Sequence, residues 1–249
     1  MEDTTAATLR KTVSVVIPVF NEEENIEAAY HAVCEVFASV ADRYTFEIIF
    51  TDNHSDDKSF EIISRLGQSD KRVRGIRFTR NFGFHRSVLT GLRMSSGDAA
   101  IQIDCDLQDP PAVMLEFLDR WRAGHDLVLG VRRTRSDGQA HQMARRYFYR
   151  ILRAISQDNI QVDSGDFRLL DRSLLDQLRE IHDASPYLRG LTSLLATNPG
   201  LVFTIVRSGR RGRANSRCGS SLRSRSMRCW LIPSCRFDWR PTRVLSSPV

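Results

Sequence analysis

The chain contains no run of ~18 consecutive apolar residues, the length a helix needs to cross a bilayer, and no early apolar run with the shape of a signal peptide. Neither a membrane span nor secretion is therefore expected. Its five cysteines show no metal-ligand spacing, and Cys34 and Cys105 fall in apolar or strand-like settings. That usage reads as reduced thiols in a cytoplasmic protein. No Gly-x-Gly-x-x-Gly follows the first apolar run and no Walker motif is present, which argues against a dinucleotide cofactor and a P-loop. His54, His85 and His141 have no metal-type spacing among them and read as solvated polar residues.

Charge is present but unevenly placed. The formal net charge is +6, yet residues from Arg207 to the end hold eleven arginines, no lysine and a single acid, Asp238. Residues 1–206 carry 25 basic and 29 acidic side chains and are mildly acidic. The terminal stretch also has nine serines and three cysteines, with no sustained helical or strand period. Its composition suggests translation in a shifted reading frame; the alternative is a disordered basic tail that attracts anionic lipid or nucleic acid without specificity. At 249 residues the chain is expected to form one globular unit. The expected division is a mobile lead-in over 1–11, a folded domain over 12–206 and the irregular tail over 207–249.

Within the domain, strand and helix signals alternate. Val13 to Val19 is a β-branched run that reads as a buried strand. Phe20 to Asn25 then opens a helix whose acids complement the positive end of its dipole, with Ile26, Ala29, Val33, Val36, Phe37 and Val40 at helical spacing. Phe46 to Thr51 is a second strand ending in the turn Asp52 to Asp57, and a helix follows with Phe60, Ile62, Ile63 and Leu66. Val73 to Phe78 is a third strand, and the polar turn Arg80 to Gly83 precedes a helix from about Phe84 to Met94. A fourth strand leads into Asp104 to Pro111, followed by a helix over Ala112 to Trp121 and a fifth strand over Asp126 to Val131. From about Gln139 to Ile155, Arg145, Arg146, Arg150 and Arg153 interleave with Tyr147, Phe148, Tyr149 and Leu152. That pattern suits a membrane-surface helix and a core-packed helix with a basic outer face about equally. The alternation predicts an α/β fold, a Rossmann-like open and mostly parallel sheet with helices on both faces.

Ligands on such sheets bind outside the carboxyl ends of the strands. Three polar or acid-rich turns fall there: Asn21 to Glu24, Asp52 to Asp57 and Asp104 to Asp109. In the last, Asp104, Asp106, Gln108 and Asp109 crowd together, although carboxylates at 4 Å repel by ~4 kcal/mol per pair at an effective dielectric of about 20. A divalent cation reverses that sign. Oxygen donors suit Mg²⁺ or Mn²⁺, commonly held by one or two carboxylates while water and substrate phosphates take the other positions. The competing reading is a polar strand-to-helix turn in which Asp109 caps a helix beginning at Pro110 and Pro111; the coincidence of three such turns favours the cation. Asp52 reads either as a ligand-facing acid or as the cap of the following helix. Asp166 could be a turn acid before a strand, and Arg132, Arg133 and Arg135 an exposed basic loop or contacts to lipid phosphate.

Taken together, Val15 to Ile26 (Val-Val-Ile-Pro-Val-Phe-Asn-Glu-Glu-Glu-Asn-Ile), the Asp52 turn, Arg80 to Gly83 (Arg-Asn-Phe-Gly), Asp104 to Pro111 (Asp-Cys-Asp-Leu-Gln-Asp-Pro-Pro) and Ser164 to Leu169 (Ser-Gly-Asp-Phe-Arg-Leu) resemble a family 2 glycosyltransferase of the GT-A fold. The nearest branch is the polyprenyl-phosphate hexosyltransferases, similar to dolichyl-phosphate mannose synthase and the undecaprenyl-phosphate glucosyltransferases. The resemblance implies a metal-dependent, inverting transfer of a hexose from a nucleotide sugar, of the UDP-glucose or GDP-mannose type, to a polyprenyl phosphate at the cytoplasmic membrane face. Peripheral membrane contact is implied, and no specific nucleic acid partner.

By the same resemblance, Asp104 and Asp106 match the metal-binding Asp-x-Asp and Gln108 a further ligand, with Asp106 also counted as catalytic. Pro18, Phe20, Asn21, Glu23 and Asp52 match nucleotide-contacting positions, and Arg80 lies in the loop near the diphosphate. Asp52 is followed by Asn53 and His54 where the family usually has a second Asp and a Gly. Asp166 and Arg168 match positions assigned near the acceptor, and Arg132 and Arg189 would be basic partners for phosphate. Past Leu201 to Val206 the family's aromatic and basic segment and its membrane helices are not visible. A transferase acting on a sugar hydroxyl in polysaccharide or glycolipid assembly, and an inactive basic-tailed binding protein, are the competing expectations.

Overall fold

Every residue of Val13 to Val19 is buried, and the side chains of this strand divide between two cores by the period of two that a strand imposes. Val13, Val15, Ile17 and Val19 face one core and Val16 faces the other. The computed structural model describes residues 10–133, 164–181 and 187–205. These residues lie within one compact unit, 1–210, while the second unit, 211–249, falls outside the described residues.

In chain order the elements are β1 (Lys11–Val19), α1 (Ile26–Ala38), β2 (Tyr44–Asp52), α2 (Ser59–Ser69), β3 (Val73–Arg77), α3 (Phe84–Met94) and β4 (Ala99–Gln102). They continue with α4 (Val113–Arg122), β5 (Leu127–Arg133), β6 (Ser164–Asp171), α5 (Arg172–Glu180), α6 (Leu188–Leu195) and β7 (Pro199–Ile205). Among the described residues the strands form one seven-stranded sheet in the order β3-β2-β1-β4-β6-β5-β7. All pairings are parallel except those of β6, which runs antiparallel to both β4 and β5. The expected α/β, mostly parallel sheet is therefore present, with one reversed strand inserted beside β4.

Helices cover both faces because their apolar stripes match the two halves of the alternation. Ile26, Ala29, Val33 and Phe37 of α1, Ile63 and Leu66 of α2, and Met114, Phe117, Leu118 and Trp121 of α4 pack on one face. Val88, Leu89 and Leu92 of α3, Leu174, Leu175 and Leu178 of α5, and Leu188 of α6 pack on the other. A Cβ at Gly91 would run into Val16 Cγ1, so only glycine lets α3 approach β1 this closely. Asp171 ends β6 and caps α5, accepting from Ser173 N at 2.9 Å.

Strands β1 and β2 begin slightly earlier than the sequence patterns, at Lys11 and Tyr44, whereas β3 ends at Arg77, one residue short of its pattern. Helix α3 has the expected bounds. Arg135, His141, the interleaved basic and aromatic segment after about Gln139, residues 1–9 and the terminal basic stretch lie outside the described residues.

Candidate active site

Because β1, β2 and β4 include adjacent strands of one direction, the turns that leave their carboxyl ends meet above the sheet. Each turn holds one non-glycine residue with positive φ: Asn21 at 56°, His54 at 66° and Leu107 at 54°. Asparagine and histidine enter this region more readily than most residues, but leucine is an outlier. Backbone of this kind costs about 1–3 kcal/mol and persists where the surroundings over-determine it, as binding sites do. His54 is held in place by its ring, with Nδ1 3.1 Å from Phe78 O.

The first two turns are laced together. Asn21 N donates to Ser55 Oγ at 2.9 Å, and Asp56 N donates back to Asn21 Oδ1 at 2.9 Å. Glu23 N donates to Asp57 Oδ2 at 3.1 Å, and Lys58 N to Glu23 Oε2 at 3.0 Å. The side chains of Asn21 and Glu23, read as nucleotide contacts in the sequence, are engaged in joining these turns.

Asp52 is wholly buried and does not cap α2. Its Oδ1 accepts from Ser55 N at 3.0 Å, and the first turn of α2 is served by Asp57, whose Oδ1 accepts from Ser59 N at 2.9 Å. Oδ2 of Asp52 accepts no hydrogen bond and lies 3.4 Å from Arg77 Nε. Arg77 in turn donates to Ser55 O at 3.1 Å and stacks over Phe60. Asn53 clips the next loop: Nδ2 donates to Asn81 Oδ1 at 2.8 Å, and Oδ1 accepts from Phe82 N at 2.9 Å. Gly83, with φ of 89°, then turns the chain into α3.

The third turn carries Asp104, Asp106 and Gln108. Asp106 is exposed, and its Oδ1 accepts from Gln108 N at 3.2 Å. Between the two acids, Cys105 points into the core, where burial and the charges of Glu22, Asp106 and Asp104 push its thiol well above the ordinary range. The reading of Asp109 as a helix cap is not borne out. Helix α4 begins at Val113 after Ala112, without a side-chain cap, and its first amides, Val113 N and Met114 N, bond to Pro110 O and Pro111 O.

These turns enclose a cavity of about 370 Å³. Of the expected residues, Pro18, Phe20, Asp104 and Asp106 line it; Asp52 and Arg80 do not, and Arg80 instead lies over the Phe82 ring at 4.6 Å. Glu22, Asn53, Asn81, Phe84, Ser87 and Cys105 also line it and were missed in the sequence. Only their position within or beside the polar turns could have signalled them. A larger concavity of about 760 Å³ lies at the amino ends of the strands, lined by Lys11, Tyr44 and Trp121 among others. It is remote from the acid-rich turns, and ligands of open parallel sheets bind at the opposite ends.

The reversed strand completes the site. Gln102 of β4 pairs with Arg168 of β6 as the last pair of that ladder, so Asp166, near the start of β6, lies at the same end of the sheet as the turn of Asp104. Asp166 thus sits within β6 and is not a turn acid before it. Arg189 grips Asp166 with two bonds, Nε to Oδ1 at 2.9 Å and Nη2 to Oδ2 at 2.7 Å. Arg168 is 1% exposed and donates to Thr192 Oγ1 at 3.0 Å, with Nη2 3.4 Å from Asp166 Oδ1. Burial would raise the Asp166 carboxyl, but the bonds and charge of Arg189, with the charge of Arg168, hold it below the usual range. Burial lowers Arg168 to about 10. The backbone of Arg132 belongs to β5, and its side chain lies outside the described residues.

The sequence model of the family described as "Glycosyl transferase family 2" matches residues 14–179. The chain belongs to this family. Among relatives of this glycosyltransferase family, the chain is 39% identical over 191 residues to the bactoprenol glucosyl transferase of Shigella phage SfV, covering 76% of this chain and 62% of that protein. It is 37% identical over 182 residues to the uncharacterized glycosyltransferase YkcC of Bacillus subtilis, covering 72% and 55%. The chain thus spans little more than half the length of these relatives. Among solved structures, mannosyltransferase PcManGT from Pyrobaculum calidifontis, in complex with GDP-Man and Mn²⁺, matches with a TM-score of 0.58 at 20% identity, covering 83% of this chain and 59% of that one. The fold is that of the GT-A glycosyltransferases.

Proposed function

We propose that the chain transfers a hexose from a nucleotide sugar to a polyprenyl phosphate, with inversion and with Mg²⁺ or Mn²⁺ as cofactor. The observation that carries this reading is the placement of Asp104 and Asp106 on the wall of the cavity between the three strained turns, at the same end of the sheet as the Asp166–Arg189 pair. Similarity to a bactoprenol glucosyl transferase supports the acceptor class.

Among the described residues no three His, Cys, Asp or Glu side chains converge on one point. Asp104, Asp106 and Gln108 are oxygen donors suited to a hard cation held by one or two carboxylates, and with the donor diphosphate they would hold Mg²⁺ or Mn²⁺. When bound, such a cation stabilises the negative charge that grows on the departing diphosphate. Pro18, Phe20, Asn53 and Phe84 form the walls against which the nucleoside lies, and Asn53 also fixes the loop of Arg80 beside it. Arg189 and Arg168 supply positive charge on the acceptor side.

A phosphate acceptor, with a second pKa near ~6, is largely dianionic at neutral pH and needs little help from a base. Asp166 suits the holding of Arg168 and Arg189 in place better than proton abstraction, since the two arginines keep it ionised and occupied. This favours a phosphate acceptor over a sugar hydroxyl, which would call for a carboxylate base. A polyprenyl acceptor also places the enzyme at the membrane surface, on its cytoplasmic side; among the described residues no helix is long and apolar enough to cross a membrane.

The test is calorimetric titration of UDP-glucose and GDP-mannose, with and without Mn²⁺, into the wild type and Asp106→Ala. Metal-dependent binding of one donor, lost in the variant, is the expected result. Binding of neither donor would overturn the reading and leave an inactive member of the family.

A further inference from the structure

Helix α6 (Leu188–Leu195) lies beyond the stretch matched by the family's sequence model, yet it supplies both Arg189 and Thr192 to the Asp166 cluster. Thr192 is itself 0% exposed. Its single hydroxyl proton is directed to Leu188 O at 2.8 Å, the back-bond common for threonine in helices. That leaves its oxygen lone pairs facing Arg168, whose Nη1 donates to it at 3.0 Å. Arg168 also sets Nε 3.3 Å from Asp166 O and Nη2 3.4 Å from Asp166 Oδ1, so one guanidinium touches both the backbone and the carboxylate of Asp166. Arg189 approaches the same carboxylate from the outside and is 43% exposed on its side chain.

We propose that Thr192 is a positioning residue: by accepting from Arg168 it fixes the guanidinium that backs Asp166 from the interior, while Arg189 holds the same carboxylate from the exposed side, where it meets acceptor phosphate. The proposal rests on the transferase reading given above for its kinetic consequence, but its geometric content stands apart from it. The physical reason is rotational. A guanidinium is a planar fork, and an acceptor on a different helix sets the direction of Nη1, which the contacts of Nε and Nη2 to Asp166 do not engage. Threonine provides the anchor without adding charge, so the carboxylate that Arg168 and Arg189 both meet is that of Asp166. Valine has nearly the same shape but no lone pair, whereas serine keeps the lone pair and loses only a methyl group.

The experiment compares Thr192→Val and Thr192→Ser with the wild-type chain. In ¹⁵N-arginine-labelled protein, the side-chain N–H exchange of Arg168 is expected to be about tenfold or more faster in Thr192→Val, and within about twofold of wild type in Thr192→Ser. Transfer to a polyprenyl phosphate is expected to show a kcat lowered about tenfold in Thr192→Val, with donor KM unchanged, and recovery in Thr192→Ser. Unchanged Arg168 exchange in Thr192→Val would overturn the proposal whether or not the chain is active. So would equal loss of kcat in both variants, because a merely structural role does not distinguish a lone pair from a methyl group. Absence of transfer by the wild type, with the exchange result as expected, would instead count against the transferase reading and leave the positioning geometry standing.

Discussion

Arg77 sets its Nε 3.4 Å from Oδ2 of Asp52, a carboxylate with no exposure of its own, and no hydrogen bond reaches that oxygen. The pair ties the end of β2 to the end of β3, one residue before Asn53 on the cavity wall. Removing Arg77 leaves a buried charge with Ser55 N as its remaining contact among these bonds. The arginine is 42% exposed, so water screens the pair, and Arg77→Ala is expected to cost about 1–2 kcal/mol in urea unfolding. Asp52→Asn in the same background should recover most of it; a double-mutant cycle with no coupling would refute the pairing.

Asn53 presents an amide donor to Asn81 Oδ1, which also accepts from Gly83 N at 2.8 Å. Asn53→Asp sets a carboxylate oxygen against that acceptor, and turning the Asn81 amide would forfeit the Gly83 bond. The variant is expected to lose about 1–3 kcal/mol. Amide exchange at Phe82 and Gly83 should quicken more than at Val88, which reports on the helix itself. Equal protection in both proteins would count against this clip.

Asp70 accepts from Arg72 Nη2 at 2.7 Å, Arg72 N at 2.9 Å and the Tyr30 hydroxyl at 2.9 Å. The side-chain bonds of Arg72, opposed by burial, bring its carboxyl down to about 2. A depressed folded-state value stabilises the fold above the unfolded value of about 3.9, and the contribution fades as pH falls through about 2. With Arg72 half exposed, Asp70→Asn is expected to be about 1 kcal/mol less stable than wild type at pH 7. The gap should close between pH ~4 and ~2 in denaturant titrations; a gap independent of pH would exclude this linkage.

Gly91→Ala places a methyl group against Val16 Cγ1 and 3.1 Å from Thr51 Cγ2. Overpacking of this kind costs about 1–3 kcal/mol, and thermal unfolding should report it. Val16→Ala in the same chain should restore part of the loss by vacating the contact.

The legible parts of the molecule were those carried by local patterns. The β-branched run of β1, the 3.6-residue spacing of α1 and the polar stop at Gly83 each concern neighbours along the chain, and each forecast its element. The crowded acids of Asp104 to Asp109 were equally visible, since mutual repulsion is a property of the residues themselves. The readings that stayed open had a common origin in burial and partnership. Asp52 and Asp109 each kept a helix-cap alternative and Asp166 a turn-acid alternative because a sequence does not say which donor an acid will meet.

The order of amino acids by itself therefore determined the α/β alternation, the polar turns at the strand ends and the family to which the chain belongs, all from periodicity and short motifs. Tertiary structure alone decided that β6 runs backwards beside β4, bringing Asp166 to the end of the sheet where Asp104 lies, and that Asn53 rather than Asp52 faces the cavity. It alone placed Arg168 in the interior against Thr192. Strand direction, register and burial arise from contacts between segments far apart in the chain, as in the bond from Arg93 to Leu178, 85 residues away. Such contacts exist only once the chain has closed on itself.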